Sequence, residues 1–352
     1  VANSEQFKKV KDIVTSNPSR KVIVVSALGK KNPEGSKITD LLYLLHAHLK
    51  YNVSYTPVWE MIATRFNQVK EDLGLNIDIN QDLTTLQKEL SKEISVDYLV
   101  SRGEYLTSKL MAEYLNYTFV DASEIVKFNY DGTVDQEQTY ALTLQAVQKY
   151  NNVVIPGFYG AYPNGTIKTF SRGGSDITGA LVARSINASE YENWTDVSGF
   201  LCADPRIVKN PKQISSISYK ELRELSYMGA SVLHEDAIYP ARMGNIPINI
   251  RNTNKPDDPG TMITDDMSLL TREDRVVTGI AGSKDFTVVG LYKNMMSSEK
   301  GFVRRILGIL DDYDIQFEHL PSGIDTVSVV MADKNVDGRL DELLEEFQSR
   351  LR

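Results

Sequence analysis

The sequence predicts an α/β protein, with a largely parallel sheet covered by helices on both faces, followed by a small α+β unit. Three observations carry this expectation. Short β-branched runs alternate with longer stretches of helical periodicity from residue 21 to residue 251, the pattern of strands joined by crossover helices. A breaker cluster, Pro256-Asp257-Asp258-Pro259-Gly260, then interrupts the alternation. Beyond it strands come in pairs separated by single helices, and 352 residues are enough for two or three domains.

The elements follow in order. Residues 21–27 form an apolar, β-branched run suited to a buried parallel strand, and 39–49 and 57–69 have helical spacing. Residues 97–115 place Leu106, Leu110 and Tyr114 on one helix face, while 118–120 and 125–128 look like strands. A helix over 136–150 and a strand over 153–157 come next. Asn164-Gly165 marks a tight turn before the alternating stretch 166–170, and a helix runs from 176 with Ser175 or Asp176 as its cap. Strands over 194–197 and 246–251 flank helices over 219–227 and 231–243. In the last part, 276–280, 286–292, 315–320 and 326–331 are expected as strands, and 301–313 and 339–351 as helices. The expected domains are 1–265 and 266–352.

Bulk properties exclude several classes of function. A net charge of -8 leaves no basic stripe for nucleic acid, and no apolar run approaches the roughly 20 residues of a membrane span. The single cysteine, Cys202, fits a reducing cytoplasm and is expected to pack rather than react; four scattered histidines give no zinc pattern, so no metal ligands are assigned. His234 is expected to be structural.

Residues 169–176, Thr-Phe-Ser-Arg-Gly-Gly-Ser-Asp, concentrate the chemistry. Gly173 and Gly174 fall between a strand end and a helix start, where free N–H groups and the helix dipole favour anions. Arg172 offers a fork that grips a carboxylate, and Asp176 a counter-charge for an ammonium. Together they suit a zwitterion such as an amino acid. They equally suit an ordinary glycine-rich turn with a solvated arginine, and context has to decide.

That context is a series of runs in a fixed order: Val24-Val25-Ser26-Ala27, Ser101-Arg102-Gly103-Glu104, Phe119-Val120-Asp121-Ala122-Ser123-Glu124, Pro156-Gly157-Phe158-Tyr159-Gly160, residues 169–180, Thr195-Asp196-Val197-Ser198-Gly199, Asp204-Pro205-Arg206, residues 224–230 and Val232-Leu233-His234. In this order and spacing they resemble the aspartokinases of the amino acid kinase family over nearly the whole chain. The last part resembles an ACT regulatory domain. The resemblance implies the family's three-layer α-β-α sandwich followed by a ferredoxin-like βαββαβ unit. It also implies transfer of the γ-phosphoryl group of ATP to the side-chain carboxylate of L-aspartate, with Mg2+ bound mainly through the phosphates. A carboxylate is already nucleophilic, so positioning and charge neutralisation are the main demands.

Carried over position by position, the aspartate side comprises Thr39, Glu104, Phe158, Arg172, Gly173, Gly174, Ser175 and Asp176. Arg172 is expected on the α-carboxylate, Glu104 and Asp176 on the ammonium, and Phe158 as a wall. The nucleotide side comprises Ser26, Gly29, Thr195, Asp196, Asp204, Arg206 and Ser231, with Asp196 and Arg172 in catalytic roles. Each motif has a plainer alternative: Ser101 and Glu104 have the spacing of a capping box, Asp204 and Arg206 that of a surface ion pair in a turn, and Phe158 is an ordinary core residue type.

The chain departs from the family in places. The glycine-rich start, Lys-Phe-Gly-Gly-Thr/Ser-Ser, is expected before Val1, and with it the principal catalytic lysine. Ser231 stands where a second lysine often lies, which throws weight on Arg206. A second ACT unit is incomplete after Leu351. Met296, Ser298, Glu299, Gly301, Phe302 and Val303, with Gln316, Phe317 and Glu318 from a paired unit, match a loop that holds an inhibitory amino acid. The resemblance thus implies lysine as inhibitor, with threonine as a further candidate, and a homodimer or homotetramer through ACT units. The competing expectations are a kinase for glutamate, acetylglutamate or carbamate, and a non-catalytic amino-acid sensor on the same fold.

Overall fold

The structure, a computed structural model, describes residues 1–32, 34–171, 173–227, 233, 235–266, 268–270 and 277–351. They fall into two compact units, Val1–Ala281 and Gly282–Arg352.

In the first unit, α1 (Ser4–Thr15) leads into β1 (Val22–Val25), and the helices α2 (Ile38–Lys50), α3 (Thr56–Leu73), α4 (Ile79–Glu89) and α5 (Val96–Leu115) follow. Then come β2 (Thr118–Phe119), α6 (Ala122–Ile125), α7 (Gln136–Tyr150), β3 (Val153–Pro156), the short strands β4 (Tyr159–Ala161) and β5 (Ile167–Thr169), and α8 (Gly174–Ser185). The unit continues with β6 (Tyr191–Thr195), β7 (Ser216–Ile217), α9 (Tyr219–Tyr227), α10 (Glu235–Met243), β8 (Ile248–Asn252) and β9 (Thr261–Ile263).

Strand β3 lies between β1 and β2 and pairs with both in parallel, Val22 and Thr118 each facing Val153. All four of its residues are buried, as an unbroken apolar run requires when both sheet faces are covered. A second sheet has the order β6-β8-β9-β7, parallel except between β8 and β9. Strands β4 and β5 pair antiparallel across the tight turn expected at Asn164-Gly165, a hairpin whose first strand was not expected. Phe7, Ile62, Phe66, Leu99 and Leu110 anchor the core under α1–α5, and Ile217, Ile248, Ile250 and Ile263 anchor the core of the second sheet.

Several elements differ from expectation for local reasons. Helices α1 and α4 were not anticipated; Asn3 and Asp78 cap them, accepting from the N–H groups of Gln6 and Gln81. Residues 125–128 are not a strand. Asp121 accepts from the N–H of Ser123 and starts a helical turn that ends at Ile125, leaving Lys127 and Phe128 with single bridges to Ala161 and Val134. Helix α8 begins at Gly174, so the N-cap is Gly173 rather than Ser175 or Asp176. Of the helix expected over 231–243, the described part is α10.

The second unit contains β10 (Phe286–Tyr292), a 3-10 turn at Met296–Ser298, α11 (Phe302–Asp312), β11 (Thr326–Ala332), α12 (Asp333–Val336) and α13 (Leu340–Arg350). Strands β10 and β11 pair antiparallel along their full length, and Phe302, Ile306, Val329 and Phe347 share their core. Residues 277–280 form no strand, and of 315–320 only His319 bridges β11. Val276 lies outside the described residues.

Candidate active site

The site gathers at the carboxyl ends of β1 and β3, where parallel strands leave room for ligands. Its base comes from α5. Ser95 caps this helix, accepting from the N–H of Tyr98, so Ser101 and Glu104 lie well inside it and do not form a capping box. Glu104 is only 5% exposed, and the Ala27 N–H, just past β1, donates to its carboxylate. Burial pushes its pKa up to about 8, against the opposing pull of that N–H, its own backbone N–H and the Arg102 charge. Its Oε2 has no hydrogen-bond partner. A buried carboxylate oxygen left unpaired is costly, and an ammonium donor would satisfy it.

Phe158 follows β3 with φ of 80°, a conformation that costs a bulky residue about 1–3 kcal/mol. Its neighbours enforce this: the Phe158 N–H donates to Thr178 Oγ1 at 3.1 Å, and its carbonyl accepts from the Phe170 N–H at 2.9 Å. The half-buried ring also packs against the α2–α5 core. The two chain segments touch so closely that side chains have no room. A Cβ on Gly157 would lie 2.7 Å from Ser175 Cβ, and one on Gly174 would lie 2.4 Å from the Phe158 ring.

Gly173 caps α8 at φ of 56°, with no side chain capping the first-turn N–H groups. These groups and the helix dipole favour an anion. Asp176 sits in that first turn; burial pushes its carboxyl up, while the Asn193 amide donates to it at 2.8 Å and pulls it down. Thr39 lies half-buried in the first turn of α2. One turn further on, burial and the charges of Asp97 and Glu104 raise the Tyr43 phenol, which places this face of α2 beside the α5 acids. Arg172 lies outside the described residues.

The residues expected on the nucleotide side are more dispersed. Thr195 ends β6, and the exposed Asp196 donates its N–H to Thr195 Oγ1 at 2.6 Å. Arg206 grips Asp204 at 2.6 Å, holding that carboxyl down to about 2, and is itself 86% exposed. That is the surface ion pair of the plainer alternative. Ser26 is exposed after β1, and Gly29 donates its N–H to the Val1 carbonyl at 2.8 Å while its own carbonyl accepts from Arg65. Ser231 lies outside the described residues. Among those described, no three acidic, histidine or cysteine side chains converge on a metal position.

Sequence motifs missed Arg65 and Asp97. Arg65, on α3, donates to the backbone carbonyls of Ala2, Gly29 and Ser36, and so braces the loop after β1. Asp97, on α5, accepts from Lys168 and Thr169 at the end of β5. Neither carries a local signal, because each acts on segments remote in sequence.

A model of the amino acid kinase family matches residues 1–252. Aspartokinase 3 of Bacillus subtilis is 36% identical over 96% of this chain and 77% of its own length. The chain belongs to the amino acid kinase family, among its aspartokinases. The crystal structure of the Clostridium acetobutylicum aspartate kinase superposes with a TM-score of 0.89 at 49% identity, covering 99% of this chain and 79% of that one. Escherichia coli aspartokinase III, crystallised with lysine and aspartate, gives a TM-score of 0.73 at 26% identity, with 100% and 81% covered. The mainly parallel α/β architecture expected from sequence is therefore the aspartokinase fold.

The residues matched to the aspartokinase regulatory loop lie in the second unit. Met296 is buried in the 3-10 turn with Ser298, and Gly301 caps α11 at φ of 81°. Glu299 accepts from Lys293 at 2.8 Å and also from Arg305, and both cations lie over the Phe302 ring. Val303 and Phe317 are partly exposed, Gln316 accepts at its carbonyl from Asn335, and Glu318 donates its N–H to Val330.

Proposed function

We infer that the chain is an aspartate kinase, transferring the γ-phosphoryl group of ATP to the side-chain carboxylate of L-aspartate to give 4-phospho-L-aspartate and ADP. This is the first step in making the aspartate-derived amino acids. The observation that carries the assignment of substrate is Glu104, a buried acid on α5 with one unpaired oxygen, held by the Ala27 N–H just past β1. Ionised, it meets the aspartate ammonium. Asp176 adds a second negative charge, the first turn of α8 with Arg172 receives the α-carboxylate, and Phe158 and Thr39 wall the pocket. The side-chain carboxylate needs no general base, so the site has only to aim it and keep the two anions together.

On the other side we assign Thr195, Asp196 and the loop of Ser26 and Gly29 to ATP. Asp204 and Arg206 form an exposed pair that costs little to open, so Arg206 is available to phosphate oxygens. Ser231 and Arg172 complete the two assignments. We propose that magnesium arrives on the ATP phosphates, with few protein ligands and several waters. Bound there, the ion neutralises phosphate charge. No helix among the described residues is long and apolar enough to cross a membrane, and we propose a cytoplasmic location.

For the second unit we propose an ACT regulatory role, with lysine held around Met296–Gly301 and threonine as a further candidate effector. Exposed Phe286, Val288 and Tyr292 along β10 support pairing of such units in a homodimer or homotetramer. The test of the activity is ADP release by the full-length protein with aspartate, glutamate, acetylglutamate or carbamate. Release with aspartate alone is expected; equal release with glutamate would overturn the substrate assignment.

A further inference from the structure

We propose that Asp97 is a positioning residue for the aspartate pocket, clamping the end of β5 so that the following turn delivers Gly173–Asp176 to the site; this rests on the substrate assignment above. The geometry is direct. Asp97 lies in the first turn of α5, and its Oδ1 accepts from Thr169 Oγ1 at 2.5 Å while its Oδ2 faces Lys168 Nζ at 3.4 Å. Thr169 is the last residue of β5 and is 8% exposed, so its hydroxyl must find a partner inside the protein. Lys168 and Asp97 are 34% and 25% exposed, and their ion pair contributes little by comparison.

The clamp joins two parts of one pocket. Helix α5 carries Asp97 and, seven positions later, Glu104; β5 runs through Thr169 and Phe170 toward the cap of α8. Phe170 is itself tied to Phe158 by its N–H, so the strand end is fixed on both sides. Asp97 therefore sets the distance between the acid that meets the substrate ammonium and the helix start that meets its carboxylate. Nothing in this arrangement touches the reacting atoms. A misplacement of about 1 Å in such a support can cost on the order of a hundredfold in rate.

The experiment is steady-state kinetics of the full-length protein with five variants. Thr169→Val and Asp97→Ala are expected to raise the KM for aspartate by about tenfold or more, the loss of a charge-assisted hydrogen bond, while the KM for ATP stays within about twofold. Thr169→Ser keeps the hydroxyl and is expected to restore the wild-type KM. The double variant Asp97→Ala with Thr169→Val is expected to match the worse single variant, because both remove one interaction. Lys168→Ala is expected to change the KM for aspartate less than about twofold. An unchanged aspartate KM in both single variants, equal rises in both KM values, or a Lys168→Ala effect as large as that of Thr169→Val would overturn the clamp. Absence of aspartate-dependent turnover in the wild type would instead remove the substrate assignment itself.

Discussion

Glu104 concentrates the physical cost of this site. Its folded pKa of about 8 stands above the ordinary value of 4.5, so the folded, ligand-free protein holds this proton more tightly than the unfolded chain. The stabilisation is complete below about pH 4.5 and is lost as pH rises through about 8. Urea midpoints at pH 5 and pH 8 should therefore fall further for wild type than for Glu104→Gln, by the equivalent of about a few kcal/mol. Equal pH dependence in the two proteins would count against a strongly buried acid. The residue was legible in the sequence only through the family's motif spacing. Taken locally, Ser101 and Glu104 suggested a capping box, and only the start of α5 at Val96 shows that they lie deeper in the helix.

At the scale of elements, the site is a contact between the end of β3 and the start of α8. Gly157 faces Ser175 and Gly174 faces Phe158 at distances that leave no space for a Cβ. Gly157→Ala and Gly174→Ala should each wedge the two apart and raise the KM for aspartate by about tenfold or more, with the KM for ATP much less affected. Steady-state kinetics would show it, and a selective loss of ATP affinity instead would contradict the assignment of this contact to the aspartate side. The strong elements here were readable, since a continuous apolar run specifies β3 and helical spacing specifies α5 and α7. Residues 125–128 were not, because Asp121 caps a helical turn that overrides their β-branched character. The clamp from Asp97 to Thr169 was hidden for another reason: it joins residues 72 positions apart, beyond the reach of any local pattern.

At the scale of the molecule, the division at Ala281 and Gly282 separates the unit that contains the match to the amino acid kinase family from one with its own core. If the second unit senses lysine, lysine should raise the thermal midpoint of the full-length protein, by the equivalent of about 2.7 kcal/mol at a hundred times its Kd, and should inhibit turnover. Calorimetry without a lysine binding signal would remove that role. The overall α/β order was legible because alternating periods of helix and strand survive in the sequence. Residues 315–320 were less so, since Ile315-Gln316-Phe317-Glu318 alternates as a strand does, yet only His319 of this stretch bridges β11. The most direct measurement of the central claim is the KM for aspartate from pH 6 to 9. With Glu104 as the ammonium's partner, binding requires its ionised form, so KM should fall by up to about tenfold per pH unit and level off near pH 8, while Glu104→Gln shows a high and flat profile. A wild-type KM independent of pH, or an unchanged profile in the variant, would contradict it.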